Sequence, residues 1–514
     1  MLRILNSQTR QKEEFKPLNA GRVTIYTCGP TVYDSLHLGH ARAAITPDVV
    51  RRYLEYKGCQ VRYVTNFTDV DDKIIKRAIA EGRDWREITA THIDEFHRLM
   101  FALNVKPADA YPRATDHVPE MLEIVTRLLE KKYAYIASDG DVYFDTSTYS
   151  RYGGLSGRNL EEEEAGLSGR MSQARLAVKK NLGDFVLWKL NQNDKEEIAC
   201  GGDKVPRWPS PWGDGRPGWH LECSAMSRKY LGVPFDIHCG GQDLLFPHHE
   251  DEKAQTECAY ADELGGKESV RYWIHNAFVT VKARPEDQSV AADLVDAQSG
   301  SVKMSKSLGN VKWLREMIWP DGPYDPMAVR MMLLSSHYRS PIVFEPAMLD
   351  EATARLERIY NTLEKVAPYQ AVFEALADSP VPGTANEEPI AKLLLDFTTA
   401  MDDDFNTAGA LGTVFELARE ANRELGEPGP NLLVMVQAYW EIRKLLTILG
   451  IRPHRAKAGG AGDSEKLVDL LLQARQEARK AKLFALGDKI RGDLKALGYE
   501  VEDLPGGKST AKKK

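Results

Sequence analysis

Val23-Thr24-Ile25-Tyr26-Thr27-Cys28-Gly29-Pro30, followed shortly by His37-Leu38-Gly39-His40, is the stretch that decides the fold. Its first five residues are β-branched or aromatic, which suits a pleated strand, and Gly-Pro ends that strand in a loop. From His37 to Gly58 the apolar residues Ala41, Ala44, Val49, Val50, Tyr53 and Leu54 return at helical spacing. Gln60 to Asn66, with Val61, Tyr63 and Val64, predicts a second strand, and Asp71 to Ala80 a second helix. Strand, helix, strand, helix in that order implies right-handed crossovers and a parallel sheet, a Rossmann-like α/β domain. Ligands of such a sheet sit at the carboxyl ends of its strands, which is where His37 falls.

Working outward, the pattern loosens between about Asp109 and Trp208. Short strands (Tyr133 to Ile136, Val142 to Asp145), a Gly-rich loop from Gly153 and the acidic run Glu161 to Glu164 read as an inserted subdomain. The acidic run is a solvated face. The α/β pattern resumes at Gly218 and continues to Phe278, closing a first domain over 1–345. Lys282 to Gly300 is polar and irregular, a mobile loop. From 346 to 455 the chain reads as a helical bundle, with Leu393 to Leu425 and Leu432 to Leu449 carrying its apolar spacing. A Gly-containing linker from Ala456 opens a small basic C-terminal region over 456–514. Its last residues, Gly506 to Lys514, lack apolar anchors and are expected to be disordered.

Bulk composition bounds the function. The chain has 514 residues, 43% hydrophobic and 28% charged, as ordinary globular proteins do. No run of about eighteen apolar residues appears, so no membrane span is expected. The polar N-terminus has no secretory signature. Six cysteines in this length do not make a disulfide framework, which fits a reducing cytoplasm with thiols free for metal. With a net charge of −7, a nucleic-acid partner must be met by local basic patches.

Three constellations carry chemistry. His37 and His40 share one face at a helix start, where free N–H groups and the dipole favour phosphate. Gly39 removes a side chain where adenine could stack. Taken alone, H-x-G-H also reads as two surface histidines. Lys303 and Lys306, in Lys303-Met304-Ser305-Lys306-Ser307, lie in a Ser/Gly-flanked loop that could close over a triphosphate and follow charge onto a leaving pyrophosphate. Cys28, Cys223, His248 and Glu252 offer two thiolates, an imidazole and a carboxylate, a tetrahedral zinc set. The same four also read as core cysteines with a capping histidine and glutamate. Cys239, His249 and Glu250 compete as ligands, and Cys59, Cys200 and Cys258 read as ordinary small residues.

Together these residues resemble the cysteinyl-tRNA synthetases, class I aminoacyl-tRNA synthetases. The resemblance rests on Tyr26 to Tyr33, His37 to His40, Asn66 to Ile74, Asp184 to Lys189, Pro217 to Ser224, Asp236 to His238, Phe246 to Glu250, Lys303 to Asn310 and Met401 to Thr407. It covers nearly the whole chain. It implies adenylation of L-cysteine by ATP with Mg²⁺, then transfer to the 3′ end of tRNA-Cys. It implies one zinc held by Cys28, Cys223, His248 and Glu252 and bound directly by the substrate thiolate, a preference for sulfur over a serine hydroxyl that makes editing unnecessary. It implies Gly29, Thr68, Trp219 and His238 for the amino acid, and Gly39, Gly241 and Asp243 beside His37, His40 and Lys306 for ATP. His37, His40, Lys303 and Lys306 then stabilise the transition state by position and charge. Asp69, Asp71 and Asp72 read as helix N-terminal acids in preference to magnesium ligands.

Three stretches depart from the family pattern: a long Lys282 to Gly300 loop, an expanded Asn191 to Arg207, and Lys508 to Lys514 where a tryptophan and an arginine usually follow. The nearest rival is the mycothiol-pathway cysteine ligase, which shares the catalytic motifs but lacks a tRNA-reading C-terminal part. The basic final helix here, with Arg475, Arg479, Lys480, Lys482, Lys489, Arg491 and Lys495, favours tRNA. A non-catalytic zinc-stabilised RNA-binding protein would have no need of both lysines and both histidines. A cytoplasmic monomer is expected.

Overall fold

A computed structural model describes residues 1–158, 178–190, 205–283, 295–296, 300–304, 309–318, 322–376, 388–455, 468, 472, 475, 479, 484–496, 499–504 and 508–513. Glu161 to Glu164, Lys306, and most of the Asn191 to Arg207 and Lys282 to Gly300 stretches lie outside them.

Four parallel strands form the central sheet: β1 (Arg22–Thr27), β2 (Gln60–Thr65), β3 (Phe235–Gly241) and β4 (Val270–Asn276), in spatial order β4-β3-β1-β2. Their side chains are buried on both faces, as a covered parallel sheet requires. On β1, Val23 and Ile25 enter one core and Tyr26 the other. The first core joins the sheet to α1 (Leu38–Tyr56) and to the helices further along the chain. The second joins it to α2 (Trp219–Leu231), α3 (Glu250–Ala259) and the inserted subdomain. Strand β1 leads to β2 on one side and pairs with β3 on the other, so the strand order reverses between β1 and β3. A crevice opens at the carboxyl ends of strands where the order reverses.

The insert carries its own antiparallel sheet of Ala134–Ile136, Val142–Phe144, Phe185–Leu190 and Gly215–Pro217. This sheet extends past Trp208 to the start of α2. A second small sheet pairs Val279–Lys282 with Ile342–Phe344 in parallel and with Ser301–Lys303 antiparallel.

Helices Pro346–Leu376, Glu388–Asp402, Thr407–Leu425 and Leu432–Ile448 follow. The apolar run Leu393 to Leu425 is interrupted at Asp403 to Asn406, where Asp404 and Phe405 take left-handed φ of 60° and 54°. Three consecutive acids account for the break. Asp402 accepts from the Tyr53 hydroxyl at 2.7 Å, Asp403 pairs with Lys12 at 2.6 Å, and Asp404 accepts from Leu5 N–H at 2.9 Å and Tyr338 at 2.7 Å. Residues Met1–Pro453 form one compact unit.

His454–Lys514 is a second unit. It holds a helix, Phe484–Ala496, and an antiparallel pair, Tyr499–Leu504 with Lys508–Lys513, around Val468, Leu472, Leu494 and Val501. Of the Gly506 to Lys514 tail expected to be disordered, Lys508–Lys513 is a paired strand, and Gly506, Gly507 and Lys514 lie outside the described residues. Lys512 stands opposite Glu500, Lys513 opposite Tyr499, and Ala511 opposite the buried Val501. Cross-strand complementarity of this kind stabilises a ladder that the tail's own composition does not announce. Among the described residues no helix is long and apolar enough to cross a membrane.

Candidate active site and metal centre

Helix α1 starts on His37, whose backbone is extended and whose Nδ1 accepts the Gly39 N–H at 3.0 Å. His40 reciprocates, its Nδ1 accepting the His37 N–H at 3.1 Å. Two imidazoles thus make the reciprocal capping box that Ser and Glu usually make. Their ring centroids lie 3.9 Å apart. Gly39 permits this, since a Cβ there would stand 2.9 Å from His37 Cε1.

The lysine segment comes to the same place through backbone bonds. The Leu38 N–H donates to the Lys312 carbonyl at 3.2 Å, and the Leu314 N–H to that of Leu36 at 2.9 Å. Lys303, at the end of its strand, holds its ammonium 3.8 Å over the Phe278 ring centroid. Between the two motifs lies a cleft of about 380 Å³, ample for a nucleotide. Cys28, Gly29, His37, Gly39, His40, Trp219, Gly241, Asp243 and Lys303 line it. Lys306 falls outside the described residues.

The four expected metal ligands arrive from three elements. Cys28 follows β1, Cys223 lies in the second turn of α2, His248 precedes α3 and Glu252 lies in its first turn. Their ligand atoms all lie within 4.8 Å of one another. Cys28 Sγ is 3.4 Å from Cys223 Sγ and 3.2 Å from Glu252 Oε1, and His248 Nε2 is 3.0 Å from Glu252 Oε1. A second quartet, Cys28, His238, His249 and Glu252, converges as tightly. His249, one of the competing ligands, is thus close by. Glu250 instead accepts the Ser156 N–H at 2.8 Å, and Cys239 stands in neither quartet. The five described cysteines are free thiols.

Electrostatics fit a cation here. Burial, then Cys223 and Glu252, push the Cys28 thiol well up. Burial works against the Cys223 thiolate too, but hydrogen bonds with Cys28 and His248 outweigh it and bring that thiol to about 7. Burial opposes a charged His248, yet Glu252 raises it to about 10. Glu252 is itself held well below the carboxylate range, its burial outweighed by His238 and His248. Two sulfurs and a carboxylate crowded into a buried place must share protons or a cation, and this donor set suits zinc.

Of the remaining expected residues, Trp219 lays its ring 4.1 Å from that of His248. Thr68 is buried and donates to Glu222 Oε2 at 2.8 Å. His238 stacks on Trp273 at 4.7 Å and reaches Glu252 Oε2 at 3.0 Å. A Cβ on Gly29 would meet the Asn66 carbonyl oxygen at 1.6 Å, so only glycine lets this strand end pass. Of the acids once weighed for magnesium, Asp71 caps a helix, Asp69 accepts from Thr115, and Asp72 pairs with Lys189 and Arg216.

Sequence reading passed over Arg42. It is buried and donates to the carbonyls of Ala277, Phe278, His337 and Ser340 at 2.6–3.1 Å, which ties α1 to the cleft wall under Lys303. The available signal was an arginine inside an apolar helical stripe. Also passed over were His220, whose Nδ1 is 2.8 Å from His248 Nδ1, and its neighbours Asp251 and Tyr152.

Residues 14–354 match the family described as tRNA synthetases class I (C) catalytic domain, and residues 396–452 the DALR domain. The chain is 44% identical to the cysteine–tRNA ligase of Thermococcus onnurineus, with 98% of each chain covered. It is 42% identical to that of Pelotomaculum thermopropionicum, covering 98% of this chain and 99% of the other. To that of Latilactobacillus sakei it is 44% identical, with 99% of each covered. Among solved structures, Mycobacterium tuberculosis methionyl-tRNA synthetase with methionyl-adenylate shares the fold at a TM-score of 0.55 and 17% identity, covering 88% of this chain and 94% of that one. A LeuRS–tRNA–LeuAMS ternary complex of Agrobacterium radiobacter does so at 0.59 and 13%, covering 86% and 88%. The parallel sheet, the paired motifs at its carboxyl edge and these full-length matches agree: the chain belongs to the cysteine–tRNA ligases, a family of class I tRNA synthetases.

Proposed function

We propose that this chain activates L-cysteine with ATP and transfers it to the 3′ end of tRNA-Cys, choosing cysteine by its thiol at a zinc centre. The observation that carries the reading is the convergence of Cys28, Cys223, His248 and Glu252 at the end of the strand that leads into His37. Those four would hold the metal, with two sulfurs against the single sulfur of the quartet that uses His238 and His249. When bound, zinc supplies a borderline-soft acceptor that takes a thiolate in preference to a hydroxyl.

The chain's own groups do the rest. Gly241 and Asp243, at the end of β3, line the cleft where a ribose would lie. His37, His40 and Lys303 surround the same cleft, and Lys306 belongs to the same motif. As the cysteine carboxylate attacks the α-phosphate in line, these four groups hold the charge that moves onto pyrophosphate, whose Mg²⁺ arrives with ATP. Trp219 stands between the nucleotide cleft and His248, where it shields the amino acid from water. Full-length similarity to cysteine–tRNA ligases, through the DALR region, supports tRNA over an amino-sugar as acceptor.

The test is ATP–pyrophosphate exchange with cysteine against serine, with and without a chelator, followed by charging of tRNA-Cys. Cysteine-only exchange that fails on metal removal and returns with zinc is expected. Exchange that survives complete zinc removal would refute the thiol–metal account. Adenylation without charging would favour the amino-sugar ligase, and tRNA binding without exchange the non-catalytic reading.

A further inference from the structure

The metal-facing imidazole does not end its contacts at the metal centre. His248 Nε2 faces Glu252 and the two sulfurs, while its Nδ1 meets His220 Nδ1 at 2.8 Å. His220 Nε2 lies 3.2 Å from Asp251 Oδ2, and Asp251 Oδ1 accepts the Tyr152 hydroxyl at 2.5 Å. Asp251 and His248 are each 1% exposed. Tyr152 belongs to the inserted subdomain. Its ring lies 6.3 Å from Phe185, in a stacked arrangement, and Phe185 meets the His220 ring edge-on at 5.9 Å.

Hydrogen-bond polarity then orders the protons along this row. A metal-bound His248 gives its Nε2 lone pair to the centre and keeps its proton on Nδ1, the nitrogen that faces His220. Its neighbour His220 then meets that proton with the lone pair of Nδ1 and carries its own proton on Nε2, the nitrogen that faces Asp251. Between two nitrogens 2.8 Å apart one must donate, and it is therefore His248 Nδ1–H. Reversing any link would place a proton on His248 Nε2 and block it.

We propose that Tyr152, Asp251 and His220 are positioning residues that fix the tautomer and ring orientation of His248, so that the inserted subdomain sets the affinity of the metal centre. The proposal rests on the reading that Cys28, Cys223, His248 and Glu252 bind the metal. Neighbouring contacts of the same loop supply a control. Arg151 pairs with Glu257 at 2.6 Å, and the Ser156 N–H donates to Glu250 at 2.8 Å. Both clamp α3 to the insert, and neither lies on the row that runs to His248.

The experiment measures zinc affinity of the full chain by competition with a chromophoric chelator, together with the visible spectrum after Co²⁺ substitution. Tyr152→Phe removes one hydroxyl and keeps the ring, and Asp251→Ala removes the acceptor. Both are expected to weaken zinc about 10–100-fold, the usual cost of losing an outer partner of a metal-bound histidine. Arg151→Met, which loosens the clamp only, is expected to stay within about twofold. In a His220→Ala background Tyr152→Phe is expected to add nothing, because its effect runs through that ring. Tyr152→Phe with unchanged affinity and an unchanged Co²⁺ spectrum would overturn the proposal. So would additivity with His220→Ala, or an equal loss in Arg151→Met. Wild-type protein that takes up no zinc, or takes it up equally well as Cys28→Ser, defeats the underlying reading and the proposal with it.

Discussion

On the proposed reading His37 has two roles, a cap and a catalytic group, that one pair of substitutions separates. Its Nδ1 caps α1 by accepting the Gly39 N–H at 3.0 Å, and its ring lines the cleft opposite Lys303. Loss of a side-chain cap costs about 0.5–2 kcal/mol when alanine replaces it, but asparagine is among the best caps known. The extended backbone of His37, φ −116° and ψ 175°, suits an asparagine cap. The reciprocal bond to His40 uses the His37 backbone N–H and survives either change. Asparagine should therefore leave stability within roughly 0.5 kcal/mol, and alanine should lower it by about 1 kcal/mol. Loss of one well-placed group in the transition state costs about 10²–10³ in rate, or about 2.7–4 kcal/mol. That loss should be the same in both variants, since neither carries an imidazole. Denaturant unfolding and cysteine-dependent ATP–pyrophosphate exchange measure the two quantities. A His37→Asn protein that exchanges at the wild-type rate, beside a His37→Ala protein that does not, would refute the catalytic role and leave the ring as a cap.

Lys306→Ala should lower the same exchange about 10²–10³-fold with unfolding unchanged; an unaltered rate removes Lys306 from the reaction. Arg42→Met deletes four charge-assisted bonds worth about 1.5–3 kcal/mol each and recovers the desolvation that brings Arg42 down to about 10. That recovery offsets part of the loss, which should still reach about 3–5 kcal/mol, the range of a broken buried hydrogen-bond network. Arg42→Lys should restore part of it, and a loss below about 1 kcal/mol in Arg42→Met would show that the carbonyls find other donors. Burial would raise the Asp48 carboxyl, but Arg330 and Arg52 outweigh it and hold it below its ordinary range. Its contribution is therefore complete above the unfolded value of about 3.9 and is lost as pH falls through the folded one. Arg330→Met should cost about 3–5 kcal/mol at neutral pH and abolish that acid loss in urea midpoints, whereas an unchanged acid limb would exclude the pair as its source.

How far the sequence could be read differs by kind of signal. The β1–α1 unit was legible because two periodicities meet at one loop, and the helix start lies where His37 predicts it. Residue types and the family resemblance also made Cys28, Cys223, His248 and Glu252 readable as a candidate metal set. Residue types alone could not choose between His248 and His249, because adjacent residues in the turn Leu245–His249 both reach the centre. The row from Tyr152 to His248 was invisible, since it depends on an insert folding back across α3. Arg42 shows in the sequence only as an arginine inside an apolar helical stripe, because its partners are carbonyls and carbonyls leave no trace in composition. The acidic Met401 to Thr407 motif is legible in the sequence only through the family resemblance; its reason is the left-handed break and the four contacts that its acids make. The lysine-rich tail misled because what orders Lys508–Lys513 is its pairing with Tyr499–Leu504, which the tail's own composition does not show.

On the proposed reading, one arrangement lets cysteine selection and activation share a single strand end. The Gly29 N–H donates to Asn66 Oδ1 at 2.9 Å, and the same oxygen lies 3.7 Å from Cys223 Sγ. Asn66 thus fastens the loop after β1, the loop after β2 and the thiol on α2 at one buried point. Cys28 lies on one side of that point, and the chain that runs to His37 on the other. A metal ligand mounted on a flexible loop would fix the thiol of a bound cysteine but leave its carboxylate free to wander from the α-phosphate. With Cys28 and His37 on one short segment, locked by Asn66 and by a glycine that admits no Cβ, both ends of the amino acid are referred to one rigid frame. Prepaid orientation of this kind contributes more to an in-line attack than any single contact, up to about 7–11 kcal/mol. On the proposed reading, then, the zinc set identifies the substrate and also aims it, and the topological switch between β1 and β3 is what lets one strand do both.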